Sequence, residues 1–558
     1  MKKIKNILLA AVTGMVTLAS CTDLTETPYA IITEENLEFN DKDIEDLAGK
    51  VYQNLRKAFD FNGLVAINDE AGDLYAIPLR LGVGWGDFYI AFHKHEFNQS
   101  IHHLWVAWDA CYGGILYANK CLDMPKVQEN KTLSAELRAM RALFYYILFD
   151  LFRNVPLITT LDNPAGYMPE QASPQETFDF IVNELNAIIP DLGTDKPHGY
   201  PNEYMARMIL AKMYLNHNAW FNDFSSNEYY EKAIVEADAV ISSGKYELED
   251  EYLTSFKSDN SISKEVIFSV PFSGLYATGN ALSLKFMIQE GLKAFGCTGT
   301  ASNGGVALPQ FIDTYDPDDK RFDDTWAHGQ QYDYYTGEKL RTNADDQGVV
   351  DLVYTKDVHS IDNPGAYMLE GYRFKKYEIT PDSYGTYGTD ICFFRLADAM
   401  FIKAECLLRI GRDKQTAADL ITEVRKRAFR DHPEKAVRTI ADLEAGSVYD
   451  YGHREYTSRG ATNYDPNSYV ATYEGGDDIE LGGLLDDLAW EFVGEQHRRQ
   501  DLIRFHLTSK KSNVWNGKSW FCKDAESDPT DMNKNLFPIY VDFLNGNNEL
   551  IQNPGYER

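Results

Sequence analysis

The stretch WEFVGEQHRRQDLIRF at residues 490–505 decides the fold of this 558-residue chain. Together with the leucines before it, the stretch keeps apolar residues at helical spacing and predicts one long helix over about 484–506. Among the charged residues of this helix, four of both signs lie at helical spacing. Because opposite charges at helical spacing form ion pairs, we interpret them as a structural network and not as catalytic groups. These residues are Glu491, Arg498, Asp501 and Arg504.

Further amphipathic helices lie on the N-terminal side of this stretch. Apolar residues three and four positions apart define each one, and Ser134 is the predicted N-cap of the first. Neighbouring helices form hairpins with alanines at close-approach positions, which indicates tetratricopeptide-like packing. The sequence therefore predicts a mainly α-helical fold. The predicted ranges are 134–151 and about 203–218, 228–243, 393–410 and 414–429.

The segments between these helices have a different composition. From about 60 to 100 and from 245 to 392, Gly, Asp, Asn and Tyr dominate, and 266–271 is a candidate strand. Irregular segments of this length usually carry function in a folded protein. We expect large irregular loops and a few short strands on the helical scaffold, with the binding site in the loops.

The N-terminus has the pattern of a targeting segment. Three lysines within the first five residues precede an apolar stretch over 7–18, and small residues then lead to Cys21. The apolar stretch is too short to span a bilayer. We therefore predict a lipoprotein signal peptide over 1–20 and acylation of Cys21, with an ordinary secretory signal as the alternative. The mature protein is then anchored to a membrane and does not span it.

Composition excludes some functions. The chain has 54 basic and 85 acidic residues, a net charge of −31, which opposes sequence-independent binding to nucleic acid. Hydrophobic residues at 44% and charged residues at 25% are typical of a folded soluble protein. The six cysteines after Cys21 show no zinc-ligand spacing, and Cys392 and Cys406 lie in apolar segments where they are expected to pack as small hydrophobic residues.

Several motifs together resemble one protein family. The motifs are the lipoprotein signal, FRLAD at 394–398, the stretch at 490–505, LFPIY at 536–540 and LIQNPGY at 550–556. They closely resemble the SusD/RagB family of outer-membrane lipoproteins of Bacteroidetes, over nearly the whole chain. The Asn-Pro-Gly sequence at 553–555 is interpreted as a turn that fixes the tail.

The resemblance implies a fold and a role. The fold would be a SusD-like domain over 21–558 with four tetratricopeptide-like helix pairs, divided into an N-terminal part over about 22–245 and a loop-rich and C-terminal part over about 246–558. The protein would bind an oligosaccharide on the outer membrane, facing the cell exterior. It would act as the lid of a SusC-like TonB-dependent transporter, without enzyme activity, cofactor or metal.

The first loop contains the principal candidate for sugar binding. A carbohydrate site needs an exposed aromatic ring for the C–H faces of the sugar and polar side chains for its hydroxyls. Trp85 is flanked by glycines that allow its ring to stand out from the backbone, and a core role is the alternative. Asp69 and Asp73 are candidate acceptors. Tyr75 aligns approximately with a stacking aromatic residue of starch-binding relatives.

Two other segments supply further candidates. One is the loop 272–305, and the other is 372–377, where Arg373 is expected to bind hydroxyls or, alternatively, to pair with a carboxylate as a strand residue. One stacking Trp with several carboxylates and an Arg suits the small rings of furanoses. Fructan is therefore the leading hypothesis, with arabinan, mannan and host glycans left open. Candidates in the loop are Tyr276, Cys297, Thr300 and Asn303.

Other functional classes have weaker support in the sequence. The acidic run at 316–324 lacks the order of an EF-hand and is interpreted as a solvated turn and not a calcium site. A surface glycoside hydrolase would need two carboxylates at a defined separation, which sequence cannot reveal. A lid that captures peptides, as the RagB side of the family suggests, is the third possibility.

Overall fold

The computed structural model describes most of the chain after residue 40. The described residues fall in two compact units, Met1–Glu45 and Asp46–Arg558. The first unit contributes only residues 41–45, so the predicted signal peptide and Cys21 lie outside the described residues. The described residues are 41–60, 62–80, 87–164, 166–274, 277, 279–344, 347–358, 360–361, 366–381, 388–452, 454–455, 470–509, 515 and 532–558.

Helices form most of the regular structure in the described ranges. In chain order they are α1 Asp41–Ala58, α2 Leu64–Asp69, α3 Asp87–Lys94, α4 His102–Leu122, α5 Pro125–Glu129, α6 Lys131–Phe152, α7 Pro174–Ile188, α8 Glu203–Phe221, α9 Glu228–Ile241, α10 Leu282–Phe286, α11 Pro309–Ile312, α12 Lys320–Thr325, α13 Leu396–Ile410, α14 Lys414–Arg425, α15 Pro433–Ala436, α16 Ile440–Glu444, α17 Gly482–Phe492, α18 Arg498–Thr508 and α19 Val541–Gly546. Short 3-10 helices cover Ile189–Asp191, Tyr252–Phe256, Glu290–Phe295 and Met532–Asn535.

The strands are short and form two-stranded antiparallel pairs: β1–β3, β2–β10, β4–β9, β5–β8, β6–β7 and β11–β12. They are β1 Tyr75–Ala76, β2 Val266–Val270, β3 Val306–Ala307, β4 Trp326–Ala327, β5 Gly329–Gln330, β6 Arg341–Ala344, β7 Gly348–Asp351, β8 Val353–Tyr354, β9 Arg373–Phe374, β10 Ile391–Arg395, β11 Arg454–Glu455 and β12 Val470–Ala471. The strand predicted at 266–271 is confirmed as β2.

Consecutive helices pack against one another and confirm the mainly α-helical prediction. Helix α4 packs on α6, α6 on α7, α8 on α9, and α13 on α14, while α9 joins the last two pairs by packing on α13. Helix α13 ends at Ile410, the end of the predicted range, and Gly411 closes it with a φ of +70°. It begins at Leu396 and not at 393, because residues 391–395 pair with β2.

Helix α6 begins one turn earlier than the sequence suggested. The side chain of Asn130 accepts a hydrogen bond from the backbone N–H of Leu133 at 3.1 Å. This bond satisfies one of the free N–H groups at the start of a helix. Asn130, and not Ser134, is therefore the N-cap, and the first turn of α6, residues 131–134, is exposed or half-buried.

The predicted helix over 484–506 is two helices, α17 and α18. Gly494 has φ of +77°, and a Cβ there would lie 2.3 Å from the ring of Phe374. The backbone carbonyls of Glu491 and Val493 accept hydrogen bonds from the buried ammonium of Lys376, both at 3.2 Å. The chain leaves the helix here because close packing and a buried cation both require it, which helical periodicity does not reveal.

The charged residues of this stretch are buried and paired, as the ion-pair interpretation predicted. Glu491 accepts hydrogen bonds from Arg395 at 2.8 Å, Arg427 at 2.5 Å and Arg321 at 3.1 Å. Burial alone would raise the pKa of Glu491, but these guanidiniums hold it below its usual range. The four residues do not share one amphipathic helix, since Glu491 lies on α17 and the others on α18. Arg498 pairs with Asp73, and Arg504 pairs with Glu405 and Asp501.

The C-terminal motif fixes the tail, as predicted. The side-chain amide of Asn553 donates hydrogen bonds to the carbonyls of Phe152 at 3.0 Å and Phe537 at 2.8 Å. Cys392 and Cys406 are buried, in agreement with their interpretation as packing residues. Among the helices of the described residues, none combines the length and apolar character that a membrane crossing requires.

Candidate functional site

The three loops that the sequence singled out meet in the folded chain. Strand β1, in the loop over about 60–100, pairs with strand β3, which directly follows the loop 272–305. Arg80 of the first loop donates hydrogen bonds to the carbonyls of Gly304 at 3.4 Å and Glu370 at 3.2 Å. Arg373 of the third loop donates to the carbonyl of Gly305 at 3.1 Å. Two buried arginines therefore hold the three segments together at residues 304–305.

Asp69 and Asp73 are fully buried, which corrects the expectation that they face a ligand. Both carboxylate oxygens of Asp73 accept hydrogen bonds from the guanidinium of Arg498. Oδ1 accepts from Nε, and Oδ2 accepts from Nη2 at 2.7 Å. Asp69 accepts hydrogen bonds from the N–H of Gln496 at 3.1 Å and the hydroxyl of Tyr75 at 3.2 Å. Burial raises the pKa of Asp69 to about 7. Both carboxylates join the first loop to α18 and its preceding turn.

Tyr75 and Arg373 are also fully buried, and they too are corrected from ligand contacts to framework residues. The ring of Tyr75 meets that of Phe286 edge to face, with centroids 5.0 Å apart. The guanidinium of Arg373 lies 5.0 Å from the ring centroid of Tyr354. Burial lowers the pKa of Arg373 to about 10. Arg373 holds loop carbonyls, and no described carboxylate forms a salt bridge with it.

The loop 296–305 lies at the surface, but two of its predicted contacts point inward. Cys297 is 3% exposed and belongs to a hydrophobic cluster that includes Leu292 and Tyr354. Asn303 is 7% exposed, has φ of +49°, and donates its backbone N–H to the carbonyl of Met287 at 2.8 Å. Thr300 is exposed. Trp85 and Tyr276 lie outside the described residues, so their predicted roles stay predictions.

Exposed aromatic rings gather beside this loop. Tyr332, Tyr334 and Tyr335, which we call the tyrosine platform, are 51%, 55% and 62% exposed. The rings of Tyr334 and Tyr335 stand at 89° with centroids 5.0 Å apart. The two perpendicular rings, both more than half exposed, form a corner at the surface. The platform lies on the turn between β5 and β6.

A network of hydrogen bonds holds the turn of the platform. The carboxylate of Asp333 accepts the N–H groups of Tyr335 at 3.0 Å and Thr336 at 2.9 Å. The hydrogen bond from the N–H of Thr336 is the main cause of a lowered pKa of Asp333. The carboxylate is therefore ionised at neutral pH. Tyr334 donates its own N–H to the carbonyl of Lys293 at 3.0 Å, which ties the turn to the 3-10 helix Glu290–Phe295.

Gly296 lets both rings lie against the backbone. Its φ is +65°, and a Cβ there would stand 2.8 Å from Cδ1 of Tyr334 and 3.2 Å from Cε2 of Tyr335. The hydroxyl of Tyr335 also donates to the carbonyl of Gly296 at 3.4 Å. A glycine is needed here for both conformation and space. The predicted loop and the platform are therefore one surface, joined at Gly296.

Polar groups lie around the platform. Lys293, Thr298 and Thr300 are exposed, and the positive charge of Lys293 contributes to the lowered pKa of Asp333. Gln289 fixes the loop beside them, because its side chain donates to the carbonyl of Gly299 at 2.6 Å and accepts from the N–H of Ala301 at 3.2 Å. Rings, hydroxyls, a carboxylate and an ammonium together are what recognition of a polyhydroxylated ligand with apolar faces requires.

A second concave surface lies between α1 and the segment 271–279. It encloses about 790 Å³ and is mainly polar and charged, with Lys50, Arg56 and Asp60 among its lining residues. Phe272 is the one aromatic side chain among its described lining residues, and it is half-buried. This cleft lacks the exposed ring pair of the platform, so we assign the candidate site to the platform. Within the described residues, no group of acidic, His or Cys side chains is arranged to hold a metal ion.

The sequence contained a signal for the platform that periodicity did not bring out. Residues 331–337 read QYDYYTG, in which three tyrosines lie within four residues and end at a turn glycine. Aromatic residues clustered in a polar turn have few ways to be buried. The acidic run 316–324 is a solvated turn only in its first part, where Asp316 and Asp318 pair with Lys435. The interpretation is wrong for the rest, because buried Asp319 caps helix α12 and pairs with buried Arg321.

Comparison of sequences establishes the family. A sequence model of the SusD family matches residues 209–556, more than half of the chain. The starch-binding protein SusD of Bacteroides thetaiotaomicron is 24% identical over 466 residues, which cover 76% of this chain and 72% of that protein. The SusD-like protein P25 of Formosa agariphila is 22% identical over 522 residues, 88% and 87% of the two chains. The chain belongs to the SusD family.

Solved structures of this superfamily share the fold. A SusD superfamily protein of Parabacteroides distasonis superposes with a TM-score of 0.67 at 17% identity, covering 93% of this chain and 100% of that one. A laminarin-binding SusD-like protein superposes with a TM-score of 0.63 at 20% identity over the same shares. These similarities confirm the predicted SusD-like fold.

Proposed function

We propose that the protein captures a glycan on the tyrosine platform without cleaving it. The observation that carries this proposal is the perpendicular, exposed pair Tyr334 and Tyr335. Aromatic faces bind the C–H faces of sugar rings, and a corner of two rings can hold two faces of a bent chain. Relatives named for binding starch and laminarin support a glycan as the ligand class.

The polar groups of the site supply the second part of recognition. Sugar hydroxyls that leave water must regain hydrogen bonds, or binding loses free energy. The ionised carboxylate of Asp333 accepts from hydroxyls, the ammonium of Lys293 donates to them, and the hydroxyls of Thr298 and Thr300 do either. The rings thus provide contact area, and these four groups provide orientation.

The cellular role follows from the N-terminal sequence and from family membership. Acylation of Cys21 would anchor the protein in the outer membrane, facing the cell exterior. There it would serve as the lid of a SusC-like TonB-dependent transporter and deliver the bound oligosaccharide for import. The whole mature chain, residues 21–558, would act as one SusD-like domain in this role.

The proposed identity of the glycan depends on Trp85, which lies outside the described residues. Fructan was inferred from one stacking Trp combined with Asp69, Asp73 and Arg373. With those three side chains buried, the fructan hypothesis depends on Trp85, which we retain as a proposed second stacking residue.

A panel of polysaccharides tests the proposal. Native gels containing fructan, laminarin, starch, arabinan or mannan are run with the wild-type protein, the double variant Tyr334→Ala/Tyr335→Ala and the control Tyr167→Ala. Tyr167 is 51% exposed but lies in another segment, so the control removes a comparable exposed ring. We expect one polysaccharide to retard the wild type and the control but not the double variant.

Other outcomes of the same experiment would contradict the proposal. Release of reducing ends from the retarding polysaccharide would indicate a hydrolase. Absence of retardation together with peptides bound to the purified protein would indicate a peptide-capturing lid. Equal retardation of the double variant and the wild type would move the glycan site away from the platform.

A further inference from the structure

A cavity at the end of helix α6 contains a buried guanidinium, and the described residues supply no hydrogen-bond partner to one of its nitrogens. The cavity encloses about 250 Å³ and lies between α6, α8, α18 and the 3-10 helix Met532–Asn535. Asn222 and Met532, which are exposed, form part of its lining and connect it with solvent. It is distinct from the tyrosine platform, with which it shares no lining residue. Its lining includes Arg153, Trp220, Arg499 and Asp150.

Arg153 is the unusual residue of this cavity. Arg153 is 6% exposed, and its buried Nη1 atom has no hydrogen-bond partner within the described ranges. The guanidinium lies between two rings, 4.4 Å from the centroid of Phe149 and 4.9 Å from that of Trp220. The backbone of Arg153 has φ of +62°, which is uncommon for a residue with a side chain. Aromatic faces offset part of the cost of burying the charge, but they accept no strong hydrogen bond.

The other charges of the cavity are already engaged. Asp150 accepts hydrogen bonds from the guanidinium of Arg499 and from the indole N–H of Trp220, the latter at 3.3 Å. Arg499 also donates to the side chain of Asn68 at 3.1 Å and to the carbonyl of Asn535 at 3.3 Å. The charges of Asp150 and Arg499 cancel one another. The net charge of the cavity lining is therefore the single positive charge of Arg153. Burial lowers the pKa of Arg153 to about 9, and the nearby Asp150 opposes that shift.

We propose that this cavity binds a small organic monoanion, with the ligand's carboxylate on Arg153 and its body against Trp220. A carboxylate matches the planar fork of a guanidinium and would satisfy the N–H groups that now lack a partner. One negative charge balances the cavity, whereas the carboxylate of Asp150 disfavours a dianion. The volume is below the range of drug-sized pockets, which limits the ligand to a small acid or a single acidic sugar.

Thermal unfolding of the full chain and calorimetry test this site directly. Sodium acetate, sodium glucuronate, sodium sulfate and sodium chloride are compared at matched ionic strength. We expect acetate or glucuronate to raise the melting temperature of the wild type relative to chloride, because a ligand that binds only the folded state stabilises it. No shift with either carboxylate, or a shift with sulfate alone, would overturn the proposal.

Three variants make the test specific. Arg153→Met removes the charge but keeps an unbranched apolar stem, and we expect it to weaken carboxylate binding about tenfold to a hundredfold. Arg153→Lys keeps the charge without the planar fork and should give an intermediate affinity, which keeps the test informative should the Met variant not fold. Arg412→Met removes a surface guanidinium that pairs with Glu231 and should bind like the wild type. Equal binding by all four proteins would overturn the assignment to Arg153.

Discussion

At the scale of single residues, position in the fold decides which polar groups serve binding and which serve stability. Asp69 and Asp73 lie four residues apart in one loop, and both are fully buried. Only Asp73 forms an ion pair, with Arg498. Sequence proximity to an aromatic-rich loop made both look like ligand contacts. Tyr334 and Tyr335 are more than half exposed, and their rings lie against Gly296, where a side chain would crowd both of them.

Gly296→Ala tests that glycine. The new methyl group would clash with Tyr334 and Tyr335 and would also strain the left-handed backbone. We expect the rings to be displaced and the affinity for the glycan to fall about tenfold in calorimetry. Gly337→Ala on the same turn is the control, because its φ is +70° but no atom lies within 4 Å of the new Cβ. Unchanged affinity of Gly296→Ala would show that the two rings do not contact the glycan.

We expect substitutions of the two aspartates by asparagine to change the free energy of unfolding in opposite directions at pH 8. Asp69 has a folded pKa of about 7, above its ordinary value of 3.8, so the folded state holds a proton that the unfolded state releases between these values. The free energy of unfolding therefore falls as pH rises through that window, by on the order of 4 kcal/mol for this group. Asp69→Asn should remove this slope and be more stable than the wild type at pH 8.

Asp73→Asn is the matched comparison. It leaves the buried Arg498 without its carboxylate, and we expect a loss of about 3–5 kcal/mol at pH 8. Urea unfolding at pH 5 and pH 8 measures both variants. A loss of stability for Asp69→Asn as large as that for Asp73→Asn would contradict the different roles of the two carboxyl groups.

At the scale of elements, the break between α17 and α18 is the feature that the sequence pattern did not predict. Apolar periodicity continues through residues 484–506, and it predicts one helix because it records only which residues are buried. The break arises from contacts distant in sequence, namely Phe374 against Gly494 and the ammonium of Lys376 on the carbonyls of Glu491 and Val493. Local patterns contain neither contact.

Gly494→Ala tests the cause of the break. A Cβ there meets the ring of Phe374 at 2.3 Å in addition to the strain of positive φ. We expect the unfolding free energy to fall by about 1–2 kcal/mol for conformation and a further 1–3 kcal/mol for overpacking. Gly244→Ala, with φ of +66° and open space around the new Cβ, should show the first loss alone. Equal losses in the two variants would mean that close packing on Phe374 does not require the glycine.

At the scale of the whole molecule, the sequence predicted the scaffold well and the site in part. Helix hairpins follow from three- and four-residue spacing, and most of the predicted ranges were confirmed within a few residues. The three segments in which the sequence predicted a binding site are neighbours in space, since buried Arg80 and Arg373 draw them together. Which face of a loop is exposed depends on tertiary contacts. Local sequence therefore pointed to Tyr75 and Asp73, which are buried, and passed over the tyrosine platform.

In the proposed function, the glycan is held on the rings of Tyr334 and Tyr335. The most direct test is a crystal structure of the protein with an oligosaccharide of the polysaccharide that the gel panel selects. We predict sugar rings packed on the faces of both tyrosines, with hydroxyls hydrogen-bonded to Asp333 or Lys293. An oligosaccharide bound elsewhere, with both rings still bare in solvent, would contradict the claim.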